Sequence, residues 1–366
     1  MAQAIRAHVQ SAQLRRFPLR VVFEPRTHMS SSREKLLSDS PDANADSGRV
    51  AGSIIRISLL VAMSWWGFGV YTVVVTDSLA VLASLVDATI DLLAQGTLLI
   101  CNRLAKDGST DEEVYPLGVS RLEPIGVILC SFLMALASGW VIVDSARTLV
   151  LYYPHGPDMQ FTNTASVMLA TVVVVKVVVW RMAKREYVRT NNVSLEALAL
   201  DNFNDILSNS SALCFASVTR LWHLAWWADP VGGILISLYI IRSWGIQAVE
   251  SVNMLVGEKA DPGFMDTVKG LASTHSNLCK LDSVKAYHFG PKFLVEVEII
   301  MDRNTPLELS HDVGIALQHK IESMDECERC FVHIDYQHRD YDDHDRTVPL
   351  SKKVADRPHR KASWMG

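Results

Sequence analysis

The sequence carries little charge for its length. Only 20% of the 366 residues are charged, whereas 49% are hydrophobic, and the mean hydropathy is +0.15. These proportions argue against a set of purely soluble domains and favour a membrane protein with a soluble part. The chain also lacks a surplus of positive charge, because its formal net charge is −5 and its pI is about 6.2. Nucleic acid is therefore not an expected partner.

Cysteine is sparse, and an apolar leader segment is missing. The six cysteines are spread over the whole chain, unlike the dense disulfide framework of small secreted domains. The first fifty residues are polar and lack the apolar stretch of a signal peptide, so we expect the first membrane span to target the chain. Residues 1–33 hold six arginines and one acidic residue, which leaves a mitochondrial transit peptide open as an alternative.

Long apolar runs are what the sequence does have. A helix needs about 20 mostly apolar residues to cross a bilayer, and six segments of that length can be found. Two have no charge, and two have a single basic residue, Lys176 or Arg242, which we expect to reach the headgroups near a span end. The last two contain acidic residues. The predicted spans are 57–76, 79–101, 124–143, 159–180, 193–219 and 230–249.

Basic residues distinguish the two ends of the predicted bundle. They are concentrated between the second and third spans and between the fourth and fifth spans, while the opposite connections are nearly bare. The positive-inside rule then places both termini in the cytosol, provided that the polar fifth segment is counted as a span. We therefore expect a six-helix transmembrane domain over residues 53–256, preceded by a mostly disordered cytosolic segment, residues 1–52.

Four aspartates lie within two of the predicted spans. Asp87 and Asp91 are four residues apart in the second span, and Asp201 and Asp205 are four residues apart in the fifth. This spacing places each pair on one helix face, about 6 Å apart along the axis. Two facing helices could thus present four carboxylates to one point.

These polar faces must point into the bundle. An ionised carboxylate at the bilayer centre costs about 3 kcal/mol on insertion scales, and a polar face on a lipid-compatible helix has to line the bundle interior or a water-filled cavity. Each face continues for one further turn, to Gln95 and to Asn209. A structural hydrogen-bond role is the alternative for one aspartate, whereas two matched pairs favour a binding site.

A divalent cation is the expected counter-charge of the four aspartates. Because we place Lys176 and Arg242 near span ends, no lysine or arginine is expected at the same depth. A site of carboxylate oxygens without histidine or cysteine suits Mn²⁺ better than Zn²⁺. Protons compete with the metal ion for the same carboxylates, which is the thermodynamic requirement for antiport as the bundle alternates its access.

Several motifs together resemble the cation diffusion facilitator family, over about residues 53–337. The motifs are residues 77–91 (DSLAVLASLVDATID), 115–124 (YPLGVSRLEP), 200–205 (LDNFND), 229–230 (DP), 253–257 (NMLVG), 287–290 (YHFG) and 331–336 (FVHIDY). Zinc-transporting members usually have a histidine where this sequence has Asp201, so the chain is similar to the manganese-type branch of plants and fungi.

The resemblance implies a role for each of these residues. Asp87, Asp91, Asp201 and Asp205 would be the ligands of a transport site, and the protein would be a homodimer that exports cytosolic metal. Golgi or vacuole would be its resident membrane. We expect a transporter rather than an enzyme, with membrane lipid, metal ions and protons as partners and with no prosthetic group.

Residues 257–337 read as a small soluble domain. Their predicted order αββαβ resembles the ferredoxin-like cytosolic domain of the same family, and residues 338–366 read as a disordered tail. His311, His333 and Asp335 fall where zinc-type relatives place cytosolic metal ligands, although solvated histidines explain them as well. Cys327-x-x-Cys330 is a lone motif, for which a reduced, partly buried pair is favoured over a zinc or redox site.

Three alternative functions stay open at this point. The same fold could transport Zn²⁺ or Fe²⁺, because affinity trends favour zinc over manganese at most sites. An intramembrane aspartyl protease also uses aspartates from two membrane helices, but it needs one per helix, and the Gly-x-Gly-Asp motif of presenilin-like families is absent. A metal sensor that only heterodimerises is the third alternative, against which the intact ligand pairs argue.

Overall fold

The computed structural model describes most of the chain after residue 41. The described residues are 42–76, 79–107, 113–116, 118–152, 163–221, 226–338, 348–349 and 351. The amino-terminal segment and the carboxyl-terminal tail that the sequence predicts to be disordered lie largely outside these ranges.

Six long helices come first among the described residues. They are α1 (Asp42–Thr76), α2 (Leu79–Asp107), α3 (Leu122–Leu151), α4 (Asn163–Thr190), α5 (Val193–Leu221) and α6 (Ala228–Val256). Within the described residues, α1, α3, α4 and α6 each contain a segment that is long and apolar enough to cross a membrane. The other two, α2 and α5, carry the four aspartates. All six helices extend beyond the predicted spans, and α1 begins inside the segment expected to be disordered.

The outward face of α3 is apolar, as expected for a helix surrounded by lipid. Its large apolar side chains Leu129, Phe132, Leu136 and Trp140 recur at helical spacing and are exposed. The opposite face, which includes Val127, is buried among the neighbouring helices. An apolar stripe on the outside of a long helix is what a hydrocarbon environment requires, since a water-soluble protein rarely exposes one of this size.

Helices α2 and α3 approach each other closely at Gly126. A Cβ atom at this position would lie 2.8 Å from the Cβ of Cys101 on α2. Small residues at helix interfaces allow such close approach, which membrane proteins use because packing drives helix association in lipid. Glycine at position 126 therefore sets the distance between these two helices.

A small α/β domain follows the helices. It consists of α7 (Pro262–Ser273), β1 (Cys279–Phe289), β2 (Lys292–Met301), α8 (Leu307–Glu322) and β3 (Cys327–Asp335). The sheet order is β1-β2-β3, with β1 antiparallel and β3 parallel to β2. Alternate residues of β2 are buried with residues of both helices in one apolar core. The predicted order αββαβ, and with it the predicted fold class, is confirmed.

The small domain is attached to the helical bundle at two places. Helix α6 ends at Gly257, whose left-handed backbone (φ 87°) suits glycine and turns the chain toward the sheet. The guanidinium of Arg121, just before α3, lies 3.5 Å from the centroid of the Phe289 ring in β1. Next to that ring, Gly290 (φ 74°) passes so close to Arg121 that a Cβ atom would lie 3.3 Å from its Cα. The basic loop before α3 therefore shares one end of the bundle with the small domain.

Candidate metal site

Aspartates from α2 and α5 converge inside the helical bundle. One carboxylate oxygen from each of Asp91, Asp201 and Asp205 lies within 4.8 Å of the other two. The structure thus brings together three of the four predicted ligands. Asp87 lies on α2, one turn before Asp91, and its side chain is outside the described residues.

Asp201 is the most deeply buried carboxylate of this group, with only 2% of the residue exposed. Its Oδ2 accepts a hydrogen bond from the Gln95 amide at 3.3 Å. Its Oδ1 is buried and has no hydrogen-bond partner among the described residues. Because a buried polar atom without a partner is costly, this oxygen calls for a cation or a proton.

A chain of hydrogen bonds orients Gln95 toward Asp201. The Ser58 hydroxyl on α1 donates to Gln95 Oε1 at 3.0 Å, which leaves the amide nitrogen to face the carboxylate. All three residues are buried. The predicted extension of the polar face to Gln95 is therefore part of the site, whereas Asn209 donates to the backbone carbonyl of Asp205 on its own helix at 2.8 Å.

Lys176 is placed differently from the sequence-based expectation. Its Nζ forms an ion pair with Asp205 Oδ2 and lies 3.8 Å from Asp91 Oδ2. The expectation that Lys176 reaches the headgroups, and that no basic residue lies at the depth of the aspartates, is therefore wrong. Helix α4 continues to Thr190, ten residues beyond the apolar run that ends at Trp180, so Lys176 occupies the middle of the helix. Arg242 likewise lies in the middle of α6, so the expectation that it lies near a span end is also wrong.

The charges of the described groups in this cluster do not balance one another. Three carboxylates face one ammonium group, which leaves a formal charge of −2 when all four groups are ionised. Oxygen ligands of this kind suit hard or borderline divalent cations. The cluster can therefore bind one such cation and reach neutrality.

The predicted cytosolic ligands are not brought together within one chain. His311 on α8 is exposed, and its Nδ1 lies 3.4 Å from Asp312. Val332 and Ile334 of β3 face Gly314 of α8, so His333 and Asp335 lie on the opposite face of the sheet. Among the residues that the structure describes, the transmembrane aspartates form the only group of three or more ligands with metal-binding spacing.

The two cysteines of β3 are structural thiols. Cys327 and Cys330 are free and buried, and the backbone amide of Cys330 donates to Glu322 Oε1 at 3.0 Å. Burial raises the pKa of both thiols to about 12, so neither is a thiolate at neutral pH. Metal binding and redox exchange both need the thiolate, which agrees with the reduced pair favoured by the sequence.

Comparison with known proteins identifies the helical part. Residues 55–256 match the family model of the cation efflux transmembrane domain. Metal tolerance protein 11 of Arabidopsis thaliana is 32% identical over 80% of this chain and 73% of its own length. Metal tolerance proteins 5 and 4 of Oryza sativa subsp. japonica are each 33% identical over 77% of this chain, and over 67% and 70% of their own lengths.

The helical bundle, its cluster of carboxylates and these matches define a multi-pass membrane transporter of divalent metal cations. The family model matches the helices, and the metal tolerance proteins match over most of their own length. The chain therefore belongs to the cation efflux family. Members of this family are transporters and not enzymes, so the aspartyl protease alternative is excluded.

Proposed function

We propose that this protein is a divalent-cation/proton antiporter that exports Mn²⁺ from the cytosol. The observation that carries the proposal is the group of carboxylates from Asp91, Asp201 and Asp205, where α2 and α5 meet and Asp201 is buried. Asp87, one turn before Asp91 on the same helix face, would be the fourth ligand. Metal from the cytosol would bind to this cluster and leave on the far side.

The ligand chemistry favours manganese among the candidate ions. The cluster offers carboxylate oxygens and neither the imidazole nor the thiolate that most zinc sites contain. Mn²⁺ is well served by oxygen ligands. Zn²⁺ and Fe²⁺ are the alternative cargoes, because a site of the same ligands generally binds them more tightly than manganese.

The burial of Asp201 supports the coupling to protons. Its Oδ1 has no hydrogen-bond partner among the described residues, so it is stabilised when either a metal ion or a proton is bound. A metal ion and a proton that exclude each other at one site are exchanged across the membrane when the bundle opens alternately to its two sides. Metal export would then be driven by protons that return to the cytosol.

The proposed orientation of the bundle in the membrane is supported by the position of the small domain. This domain lies at the end of the bundle that carries Arg121, and the helix end at residues 181–189 of the second basic connection is also rich in positive charge. The positive-inside rule places such an end in the cytosol. We propose a Golgi or vacuolar membrane as its location, with metal moved from the cytosol into the lumen.

A homodimer is the proposed assembly. The face of the sheet opposite α7 and α8 has a cavity of about 360 Å³, and the exposed ring of Phe331 is part of its lining. An apolar ring beside charged groups is typical of a protein interface. Pairing of two sheets through this face would also bring two copies of His333 near each other.

The test is transport by the purified protein in vesicles with an imposed pH gradient. Mn²⁺, Zn²⁺ and Fe²⁺ are supplied one at a time, and both metal uptake and proton flux are recorded. We expect Mn²⁺ to give the highest rate, and Asp205→Asn to lose metal-driven proton flux. Asp144→Asn is the matched control, because Asp144 is an exposed aspartate on α3 outside the cluster. Undiminished flux in Asp205→Asn would overturn the site, and faster Zn²⁺ or Fe²⁺ uptake would overturn the manganese assignment.

A further inference from the structure

Lys176 is a buried cation in the middle of a membrane helix. Its side chain is 14% exposed, and its Nζ is paired with Asp205 Oδ2 and lies 3.8 Å from Asp91 Oδ2. An ammonium group in such a place is costly unless carboxylates compensate it. A lysine at this depth is therefore held by the same two aspartates that we propose as metal ligands.

Aromatic packing holds α4 against α5 next to Lys176. One helical turn after Lys176, the Trp180 ring lies 5.9 Å from the ring of Phe203. Phe203 stands between Asp201 and Asp205 on α5. The long lysine side chain can change its conformation while the helix stays in place, since it has four rotatable bonds. Its ammonium group can therefore move away from Asp205 without separation of α4 from α5.

We propose that Lys176 is a tethered counter-cation that competes with the transported metal for the oxygens of Asp205 and Asp91. This inference rests on the proposed function, because it assigns a role to Lys176 at the transport site. A metal ion that binds to these carboxylates takes the place of the ammonium group. When the metal leaves, the ammonium group returns and the carboxylates remain compensated.

The consequence is a limit on metal affinity. Lys176 is the cation that pairs with Asp205 and Asp91 among the described residues. Its removal would therefore strengthen the attraction of these carboxylates for a dication, and the metal would be held more tightly. Most differences in affinity between closely related complexes lie in the dissociation rate. Lys176 would thus accelerate release of the metal, which a transporter needs for turnover.

The competing interpretation is a purely structural ion pair that joins α4 to α5. In that case the loss of Lys176 lowers protein stability and the maximal rate, but it leaves the metal affinity unchanged. The two interpretations differ in the dissociation constant and not in the activity alone.

The experiment measures Mn²⁺ binding to the purified full-length protein by calorimetry, and Mn²⁺ uptake in vesicles. Lys176→Gln removes the charge, and we expect it to lower the dissociation constant and KM by about tenfold or more while the maximal rate falls. Lys176→Arg keeps the charge, and its planar group binds carboxylates with two parallel hydrogen bonds. We therefore expect Lys176→Arg to raise the dissociation constant.

Arg242→Gln is the matched control, because Arg242 is an exposed cation in the middle of α6, and its loss should leave Mn²⁺ affinity unchanged. If Lys176→Gln does not fold, the change in the Mn²⁺ dissociation constant of Lys176→Arg still distinguishes the two interpretations of Lys176. An unchanged or weaker affinity in Lys176→Gln, or an unchanged affinity in Lys176→Arg, overturns the inference. A wild-type protein that binds and transports no Mn²⁺, Zn²⁺ or Fe²⁺ would instead overturn the proposed function itself.

Discussion

At the scale of single residues, the orientation of the Asp201 carboxylate depends on a side chain that is not itself charged. Gln95 holds one carboxylate oxygen, and Ser58 fixes which end of the Gln95 amide points at it. Hydrogen-bond partners of metal ligands commonly affect affinity because they fix ligand geometry. Gln95 is thus expected to matter for binding although it offers no negative charge.

We expect Gln95→Leu to weaken Mn²⁺ binding by about 10- to 100-fold, the usual effect of losing a partner that orients a ligand. Ser58→Ala should have a smaller effect in the same direction, since it leaves the amide in place but free to turn. Calorimetry on the purified protein measures both changes.

Thr97→Val on α2 is the control for these two variants. The Thr97 hydroxyl donates a hydrogen bond to the Leu93 carbonyl of its own helix, and not to Gln95 or Asp201. Equal Mn²⁺ affinity in Gln95→Leu and Thr97→Val would show that the hydrogen-bond chain does not position Asp201.

The candidate site could be predicted from the sequence to a large extent, with one error. Spacing of four residues placed Asp201 and Asp205 on one helix face, and the same rule pointed to Gln95. Lys176 was misplaced because hydropathy marks where apolar residues end, whereas a helix ends where its hydrogen bonding ends. The basic residues after Trp180 remain helical, so the apolar run showed only part of α4.

At the scale of helices, the separation of α2 and α3 is set by a residue without a side chain. Gly126 faces the Cys101 side chain. Around Gly139, on the same helix, no atom of the described residues outside the neighbouring helix backbone lies within 4 Å of the position that a Cβ would take. The two glycines therefore provide a matched pair in which only the packing differs.

We expect Gly126→Ala to destabilise the protein by about 1–3 kcal/mol, the usual cost of adding a methyl group to a filled interface. Gly139→Ala should leave stability unchanged or slightly higher, because alanine favours the helical backbone. Thermal unfolding of the two variants in detergent, at one heating rate, measures the difference. Equal melting temperatures would contradict the close approach of α2 and α3.

The helices and strands of the small domain can be predicted from the sequence pattern, whereas the pairing of its strands cannot. The alternation in residues 295–299 predicts a half-buried strand, and β2 buries Val295, Val297 and Ile299 accordingly. The parallel pairing of β2 with β3 depends on α8 crossing over the sheet. Such a connection between distant residues is a property of the whole domain and is not encoded in a local pattern.

At the scale of the whole molecule, the stacking of Arg121 on Phe289 connects the bundle to the small domain. A guanidinium group stacked on an aromatic ring stabilises such a contact by about 0.5–2 kcal/mol. The turn at Gly290 adds a hydrogen bond from its backbone amide to the Met254 carbonyl at 3.2 Å. The loop before α3, the end of α6 and the turn after β1 are thereby held together.

We expect Arg121→Ala to accelerate amide hydrogen exchange in residues 118–121 and 287–290 by about 2- to 30-fold, the range that corresponds to the loss of one such contact. Arg329→Ala is the control, since Arg329 lies 5.7 Å from the centroid of the Phe331 ring within β3, away from the connection. Hydrogen-exchange mass spectrometry measures both variants. The same exchange in Arg121→Ala as in the wild type would show that the ring contact does not hold the two parts together.

The connection at Gly257 and Arg121 also distinguishes two groups of helices. The ends of α3 and α6 contact the small domain, and these two helices pack along each other. The proposed ligands and Lys176 lie on α2, α4 and α5 instead. In the proposed transport cycle, a rocking motion that leaves the connection intact would move α2, α4 and α5 relative to α3 and α6, so that the binding cluster would travel with the moving helices.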